Sequence, residues 1–207
     1  MIPRLAPVAQ ETLTSVHPQA ARSVFWELGD LDAGDPLLEK EAWLSTVLLI
    51  FGTCGFNLDA GSGLRGRARA TVLFCPPADA AGCTRMPSGP VSADALVLTS
   101  LFVDPDLTVG ASHVLVDAAL AELTARRTRV VEAFGYRDGV ECSTLPGSLV
   151  GLVADPQAVG LLPAELLAAT GFEVVAEHPV FPRFRLELPP PNGLLSAAEA
   201  EELLAPA

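Results

Sequence analysis

Residues 95–134 limit the possible folds of this chain more than any other segment, because a strand, a loop, a helix and a strand follow one another there. Residues 95–103 (ALVLTSLFV) are apolar almost throughout, as expected of a central strand buried on both faces. Residues 111–127 have apolar side chains at helical spacing, and residues 129–134 (RVVEAF) favour a further strand. This pattern is typical of a βαβ crossover.

The other segments predict hairpins and short helices. Asp35 and Pro36 are the residue types of a helix N-cap and first turn, and glycines at 59–63 indicate a tight turn. Further helices are expected at 162–170 and 196–204, and a long loop at 76–91. Further strands are expected at 22–28, 46–56, 67–75, 172–177 and 183–188. Residues 137–155 give only weak signals of secondary structure. Hairpins combined with one crossover predict an α+β domain with a mixed, mostly antiparallel sheet of six to seven strands flanked by helices.

Three stretches are expected along the 207 residues. Residues 1–21 contain three prolines and no periodic pattern, so we expect an irregular lead-in. Residues 22–189 are expected to form a single domain. Residues 190–207 begin with a stiff proline break and end in a short helix that Ser196 and Glu199 can cap. That helix is a candidate surface for a partner or a second copy, and we expect a monomer or a homodimer.

Charge and composition exclude some classes of function. The net charge is −12 and Lys40 is the only lysine, so nucleic-acid binding has no basic surface to support it. An acidic surface can attract a cationic amine, although it also serves solubility. The longest apolar run, residues 47–51, is far shorter than the roughly 20 residues of a membrane helix. Because the first residues also lack an apolar signal region, we expect a cytoplasmic protein with no membrane partner.

The four cysteines do not indicate a metal site. Cys54, Cys75, Cys83 and Cys142 form no C-x-x-C motif and have no histidine nearby, so we expect no zinc and no other metal. A domain of this size needs no disulfides, and the thiols are expected to be reduced and buried.

The loop between the apolar strand and the following helix has the chemistry of an anion site. The first turn of a helix has unpaired N–H groups and the positive end of the helix dipole. A pyrophosphate can therefore bind at this turn, which contains Gly110, without any basic side chain. One glycine in such a loop is common, so the loop alone does not identify the ligand.

Short motifs along residues 22–188 resemble a known family when they are taken in order. They are FWEL (25–28), KEAW (40–43), CPP (75–77), GPVSAD (89–94), LTSL (98–101), VEAFG (131–135), GFEVV (171–175), HP (178–179), PR (182–183) and RLEL (185–188). No single motif is specific, but their order resembles actinobacterial-type members of the GNAT (N-acetyltransferase) superfamily. The resemblance implies a GNAT-like acyl-CoA N-acyltransferase fold, with acetyl-CoA as co-substrate and a small-molecule or peptide amine as acceptor.

The resemblance also implies where acetyl-CoA binds, namely in a V-shaped opening between the strands at 95–103 and 129–134. The pantetheine amides would pair with the backbone of Leu101, Phe102 and Val103. The pyrophosphate would contact the loop and the first helical turn at Val109, Gly110, Ala111, Ser112 and His113.

The loop departs from the superfamily pattern at two positions. Leu107 stands where an Arg or Gln is expected, and Ser112 stands where a second Gly or Ala is expected. Loss of a charge-assisted hydrogen bond costs roughly 1.5–3 kcal/mol. Ser112 keeps its N–H group, and His113 either compensates for the missing Arg or is an ordinary solvated helix residue. We therefore expect a weakened but usable phosphate site.

Three residues are candidates for proton transfer. Glu132 and Asp94 are candidate bases for the acceptor amine, and Tyr136, the only tyrosine, is a candidate acid for the leaving thiolate. Each of these residues can also have a purely structural role. Glu132 can form an ion pair with Arg129 or Arg183, Asp94 can be a turn residue, and Tyr136 can be an ordinary surface residue.

Two hypotheses for the function follow from these patterns. The first is an N-acetyltransferase in which an unidentified amine attacks acetyl-CoA directly. The second is a non-catalytic GNAT-like binding or scaffold module with weakened or lost CoA binding, which Leu107 and the absence of a tyrosine at 162–170 favour. His178 either borders an acceptor pocket or packs its ring on Phe181.

Overall fold

Eight strands form the centre of this computed structural model, which describes residues 4–29, 34–59, 67–107, 109–139 and 147–205. The strands are β1 Arg4–Pro7, β2 Gly55–Asp59, β3 Ala70–Cys75, β4 Leu96–Val103, β5 Val130–Tyr136, β6 Leu162–Pro163, β7 Glu173–Ala176 and β8 Arg183–Glu187. They form one sheet in the order β1-β2-β3-β4-β5-β8-β7, and β6 pairs with β5 beside this path.

Helices flank the sheet and connect its strands. The α-helices of the described residues are α1 Pro36–Ile50, α2 Val109–Ala125, α3 Gly147–Ala154, α4 Ala164–Ala169 and α5 Ala197–Leu203; 3-10 helices lie at Gln10–Ser15, Pro77–Asp79, Ala81–Arg85 and Pro156–Val159. The predicted start of α1 is confirmed, because Asp35 accepts a hydrogen bond from the Leu37 N–H (3.0 Å) and Pro36 follows it. None of these described helices is long and apolar enough to cross a membrane.

Strand pairing is parallel at only two places in the described sheet. β4 and β5 are parallel neighbours joined by the α2 crossover, and β6 lies parallel to β5. The other described pairs are antiparallel. The predicted α+β class and mixed, mostly antiparallel sheet flanked by helices are confirmed. The short strand β6 and the N-terminal strand β1 raise the strand number to eight.

The sheet separates two apolar layers. In β3, Val72 and Phe74 pack with α2 and α4, whereas Leu73 and Cys75 pack on the opposite face with α1 and α3. Successive strand residues point to opposite faces, so a strand covered on both sides has to be apolar at every position. This explains the uniformly apolar sequences of β3 and β4.

Residues 22–28 do not form the predicted strand. They form turns in which the neighbouring residues Phe25 and Trp26 are both buried in one cluster, with their rings 4.9 Å apart. Neighbouring residues of a strand would point to opposite faces, so the turn is what brings both rings into the core. Trp26 also stacks on Phe134 and donates its indole N–H to the Val159 carbonyl (2.7 Å).

Several predicted boundaries are wrong. The expected irregular lead-in contains the edge strand β1 and a 3-10 helix. The expected strand at 46–56 is divided, because α1 continues to Ile50 with Val47 on its buried face and β2 begins at Gly55. Residues 147–154, where the signals were weak, form α3, and β6 precedes α4 at 162–163. Most of the turn predicted at 59–63 lies outside the described residues.

Three cysteines are buried and unpaired, as predicted. Burial raises the pKa of the Cys54 and Cys83 thiols to about 12 and also raises that of Cys75. These thiols therefore stay protonated at neutral pH. Cys142 lies outside the described residues, and the described part of the chain brings no three potential metal ligands together.

A buried ion pair ties α1 to the turn at 22–28. Lys40, 2% exposed, donates a hydrogen bond to Glu27 Oε1, and the Glu27 side chain is fully buried. Within the described residues the other oxygen, Oε2, has no partner. Lys40 is therefore the group that compensates the buried Glu27 carboxylate, and removal of one partner alone leaves a buried charge uncompensated.

We expect Lys40→Met to lower the free energy of unfolding by about 3–5 kcal/mol, because it leaves Glu27 buried without its cation. The double variant Glu27→Leu/Lys40→Met removes both charges and should recover most of that loss. Urea unfolding of the three proteins measures both effects. A loss below about 1 kcal/mol in the single variant would place the pair among exposed ion pairs and contradict the burial argument.

Candidate functional site

A bulge in β4 shapes the candidate site. Leu73 of β3 pairs with Ser100, but the next residue, Phe74, pairs with Leu98, so Thr99 is an extra residue on β4. The Thr99 hydroxyl donates a hydrogen bond to the Leu73 carbonyl (3.1 Å). A bulge bends its strand and disrupts the local pairing, and here it lies where β4 separates from β5.

The separation of β4 and β5 creates a groove. The two strands pair from Leu96 and Val131 as far as Leu98 and Ala133, where their described pairing ends. Residues 100–103 of β4 and 134–136 of β5 form the two sides of the opening, which we call the groove. The predicted coenzyme contacts Leu101, Phe102 and Val103 belong to the β4 side of the groove.

Residues 156–161 of the same chain lie in the groove. The Leu101 N–H donates a hydrogen bond to the Gly160 carbonyl (2.8 Å). Gly160 has φ +66°, and a Cβ there would lie 2.7 Å from Cε2 of Phe102 and 2.9 Å from Cβ of Ser100. Only glycine fits both the left-handed backbone and the close approach to β4. The backbone donor expected for a pantetheine amide therefore already has an acceptor.

A polar cluster surrounds the turn between β4 and α2. Asp104 accepts hydrogen bonds from Arg69 Nε (3.1 Å) and His17 Nε2 (3.0 Å), and Arg69 also pairs with Asp106. The His17 Nδ1 accepts from the Gln19 N–H (3.2 Å), which leaves the ring proton on Nε2 facing Asp104. This cluster fixes the chain before α2. Sequence reasoning missed His17, because it lies in a segment without a recognisable pattern.

The residues predicted to bind pyrophosphate lie at the start of α2. Ala111 is buried, Ser112 and His113 are half-buried, and Leu107 packs on the apolar layer beneath α2. The Val109 backbone begins the helix. A cavity of about 270 Å³ lies beside this turn, between α2 and the C-terminal residues; its lining includes His113, Asp117, Asn192, Glu199 and Leu203.

Gly110 is covered by the C-terminal helix. A Cβ at this position would lie 2.3 Å from the Leu203 carbonyl oxygen and 2.9 Å from Leu203 Cβ. Glycine at position 110 is therefore required by a contact within the chain, whatever ligand this turn also binds. The sequence pattern around Gly110 gives no sign of this contact, because its partner lies more than ninety residues away.

Glu132 is held in a network of ion pairs. Its fully buried carboxylate pairs with Arg183 and with Arg185 (3.0 Å), and it accepts a hydrogen bond from the Ser92 N–H (3.1 Å). Burial raises the pKa of Glu132, but the hydrogen bonds from Ser92, Arg183 and Arg185 outweigh burial and hold the pKa below its ordinary value. The predicted ion pair with Arg183 is present, and Arg185 is the partner that sequence reasoning missed.

Asp94 belongs to the same network. Its carboxylate receives a hydrogen bond from Arg185 (2.9 Å), and this contact lowers the pKa of Asp94. Asp94 and Glu132 thus share one guanidinium on β8, and both stay ionised at neutral pH.

Tyr136 and His178 lie at the other end of β5. The Tyr136 hydroxyl accepts a hydrogen bond from the Gln157 side-chain amide (3.2 Å). The His178 ring stacks on Phe181, which is one of the two roles predicted for it. Its Nδ1 accepts a hydrogen bond from the Phe181 N–H (3.0 Å). Burial and the positive charge of Arg137 lower the pKa of His178, so its ring is neutral at pH 7.

We expect Glu132→Gln to lower the free energy of unfolding by about 3 kcal/mol at pH 7, because two arginines lose a buried carboxylate. A carboxyl with a lowered folded-state pKa stabilises the fold above its unfolded pKa of about 4.3 and loses this effect as pH falls through the folded value. The difference between wild type and variant should therefore shrink below about pH 4.

Urea unfolding between pH 7 and pH 3 checks this prediction. Asp94→Asn is the control, since Asp94 is exposed and its loss should cost less than about 1 kcal/mol. A difference between wild type and Glu132→Gln that is independent of pH would show that packing, and not charge, sets the effect.

Gly160→Ala should destabilise the protein more than Gly139→Ala. Both glycines have similar positive φ values (+66° and +69°), but among the described residues only Gly160 has neighbours at the Cβ position. The backbone cost for alanine is about 1–2 kcal/mol at each site, and the clash with Phe102 and Ser100 should add about 1–3 kcal/mol at Gly160. Thermal unfolding of both variants measures the difference; equal losses would mean that residues 156–161 do not press against β4.

Comparisons with known proteins find similarity in structure but not in sequence. No protein-family model and no curated protein sequence matches the chain. The structure is similar to an N-acetyltransferase from Staphylococcus aureus Mu50, with a TM-score of 0.53 and 12% identity over 91% of this chain and 99% of the other.

Two further solved structures show the same fold. One is a GNAT-superfamily phosphinothricin acetyltransferase from Sinorhizobium meliloti in complex with acetyl-CoA, with a TM-score of 0.53 and 14% identity over 97% of this chain and 99% of that one. The other is a ribosomal-protein-alanine N-acetyltransferase from Brucella melitensis, with a TM-score of 0.50 and 12% identity over 89% and 99%. The fold of this chain is that of GNAT-superfamily N-acetyltransferases.

Proposed function

We propose that this protein transfers an acetyl group from acetyl-CoA to an amine. The observation that carries the proposal is the bulge at Thr99, which separates β4 from β5 next to the start of α2. A strand edge that no longer pairs with β5 and a helix N-terminus are then adjacent, and their backbone groups would suit pantetheine amides and a pyrophosphate once the contacts of Gly160 and Leu203 open. One of the structures with this fold contains acetyl-CoA.

Acetyl-CoA would bind along the groove and the first turn of α2. Its pantetheine amides would pair with the backbone at Leu101, Phe102 and Val103, and its pyrophosphate with the turn at 109–113. Leu107 packs into the apolar layer and offers no charge to a phosphate. Binding would therefore depend on backbone N–H groups, and affinity would be lower than with an arginine at this position.

Among the three candidate catalytic residues we assign the reacting role to Tyr136. The amine nitrogen attacks the thioester carbonyl, the C–S bond breaks, and the thiolate takes a proton from the Tyr136 hydroxyl. The lowered pKa values of Glu132 and Asp94 make both carboxylates weak bases. We assign them to holding β5, β8 and residues 88–94 in place. The proton of the amine passes to solvent, and the tyrosinate regains its proton from solvent.

The acceptor amine would enter beside Tyr136. A cavity of about 370 Å³ lies there, lined among others by Tyr136, Arg137, Leu152, Val180 and Phe181. Its volume suits a small molecule or the end of a peptide. The net charge of −12 would favour the approach of a cationic amine.

A second candidate function is favoured by the contacts inside the groove. The Gly160 carbonyl occupies the Leu101 N–H, and Leu203 covers Gly110. If these contacts are permanent, the protein is a non-catalytic GNAT-like binding or scaffold module.

Four further expectations stay predictions. They are the cytoplasmic location, the resemblance to actinobacterial-type members, the domain limits at 22 and 189, and the monomer or homodimer state.

Acetyl-CoA at about 100 times its Kd should stabilise the fold by about 2.7 kcal/mol, which raises the Tm by about 5–10 °C for a chain of this size. Release of free CoA thiol over a panel of amines tests turnover. A Tm shift without thiol release would favour the binding module, and no shift at millimolar acetyl-CoA would overturn the proposal.

Tyr136→Phe separates binding from chemistry. It removes only the proposed proton donor, so the Tm shift with acetyl-CoA should remain while the rate of thiol release falls about 10²–10⁴-fold. An unchanged rate would remove Tyr136 from the reaction and leave protonation of the thiolate to water.

A further inference from the structure

The C-terminal helix α5 lies against the start of α2, where the proposed function needs the pyrophosphate to bind. The contact is close: the Leu203 carbonyl oxygen would lie 2.3 Å from a Cβ at Gly110, and the carbonyl carbon 2.9 Å from it. α5 therefore approaches the α2 backbone where any larger residue would prevent contact.

The two helix ends that meet carry opposite partial charge. α5 ends at Leu203, and its last turn forms the negative end of the helix dipole. The start of α2 has the matching N–H groups and the positive end of its dipole. The Leu203 carbonyl oxygen lies beside this turn, and a phosphate bound there would bring a second negative group to the same place, where the two repel each other.

The attachment of α5 is shallow. None of its seven residues is buried. Before it, the Leu195 N–H donates to Asp117 Oδ1 on α2 (3.0 Å), and after it Leu204 is only partly buried against the apolar layer. Segments with few buried apolar contacts open at low free-energy cost.

The sequence makes α5 able to form its own helix. Ser196 and Glu199 form a complete capping box: the Ser196 hydroxyl accepts from the Glu199 N–H (3.3 Å), and the Glu199 carboxylate accepts from the Ser196 N–H (2.8 Å). The proline-rich residues 189–191 separate this helix from β8. α5 is thus a distinct unit that can leave the domain without disturbing the sheet.

We propose that α5 is an autoinhibitory strap that competes with the pyrophosphate of the coenzyme for the start of α2. The proposal rests on the proposed function, since it regulates that same site. Acetyl-CoA binds only the open fraction of molecules, so its apparent Kd is the intrinsic Kd divided by that fraction. Weakening the attachment of α5 should then tighten binding.

The test uses the full chain with Leu203→Ser/Leu204→Ser, which removes the apolar contacts of the strap without changing charge. The matched control is Ala197→Ser/Ala198→Ser, at exposed positions of the same helix. Acetyl-CoA binding is measured by isothermal titration calorimetry at constant ionic strength. Thermal unfolding without ligand shows that each variant is folded, as the shallow attachment predicts.

We expect the strap variant to bind acetyl-CoA about five- to thirtyfold more tightly than wild type, and the control to match wild type. Equal, measurable binding by all three proteins would overturn the strap and leave the proposed function intact. Absence of binding by all three, including the folded strap variant, would overturn the proposed function and the strap with it.

Discussion

The one residue that β4 has in excess of β3 lies where the central sheet opens. β4 bulges at Thr99, its extra residue, and its pairing with β5 ends next to this bulge, at Leu98 and Ala133. The bulge uses one hydroxyl-to-carbonyl hydrogen bond, between Thr99 and Leu73. A bulge bends its strand, and the groove with residues 156–161 lies on the side of this bend where β4 and β5 no longer pair.

Charged groups hold the sheet together on the side where β4 and β5 still pair. Glu132 joins β5 to β8 through two arginines, and Asp94 extends the network to the start of β4. On the groove side, the corresponding contacts are backbone hydrogen bonds and aromatic packing, such as Trp26 on Phe134. The side of the sheet where β4 and β5 pair is therefore held by charged groups that satisfy one another. The groove side is held by backbone groups that can exchange one hydrogen-bond partner for another.

The sequence predicted those parts of the fold that depend on local pattern. The apolar run of β4, the helical spacing of α2, the cap at Asp35 and the capping box at Ser196 are all readable because neighbours in sequence make the contacts. The turn at 22–28 could not be predicted in this way, because its residues favour strands but are buried by packing against distant partners. An intrinsic preference for strand loses to that burial.

The candidate site shows the same difference between features that the local sequence predicts and contacts between distant residues. Glu132 and its arginine were predictable from charge type, whereas the contacts of Gly160 with Leu101 and of Leu203 with Gly110 join residues far apart in the chain. A glycine in a sequence shows that something approaches closely, but it does not show whether a ligand or the protein's own backbone does so.

The buried ion pair of α1 has a chemical consequence beyond stability. Lys40 is the only lysine of the chain, and its ammonium group is enclosed with Glu27 in the core. The folded protein thus presents no lysine side-chain amine at its surface. Under the proposed function, which uses an activated acyl thioester, this removes the most common side-chain nucleophile for spontaneous self-acylation. Amine-reactive labels should likewise leave the side chains of the folded molecule unmodified.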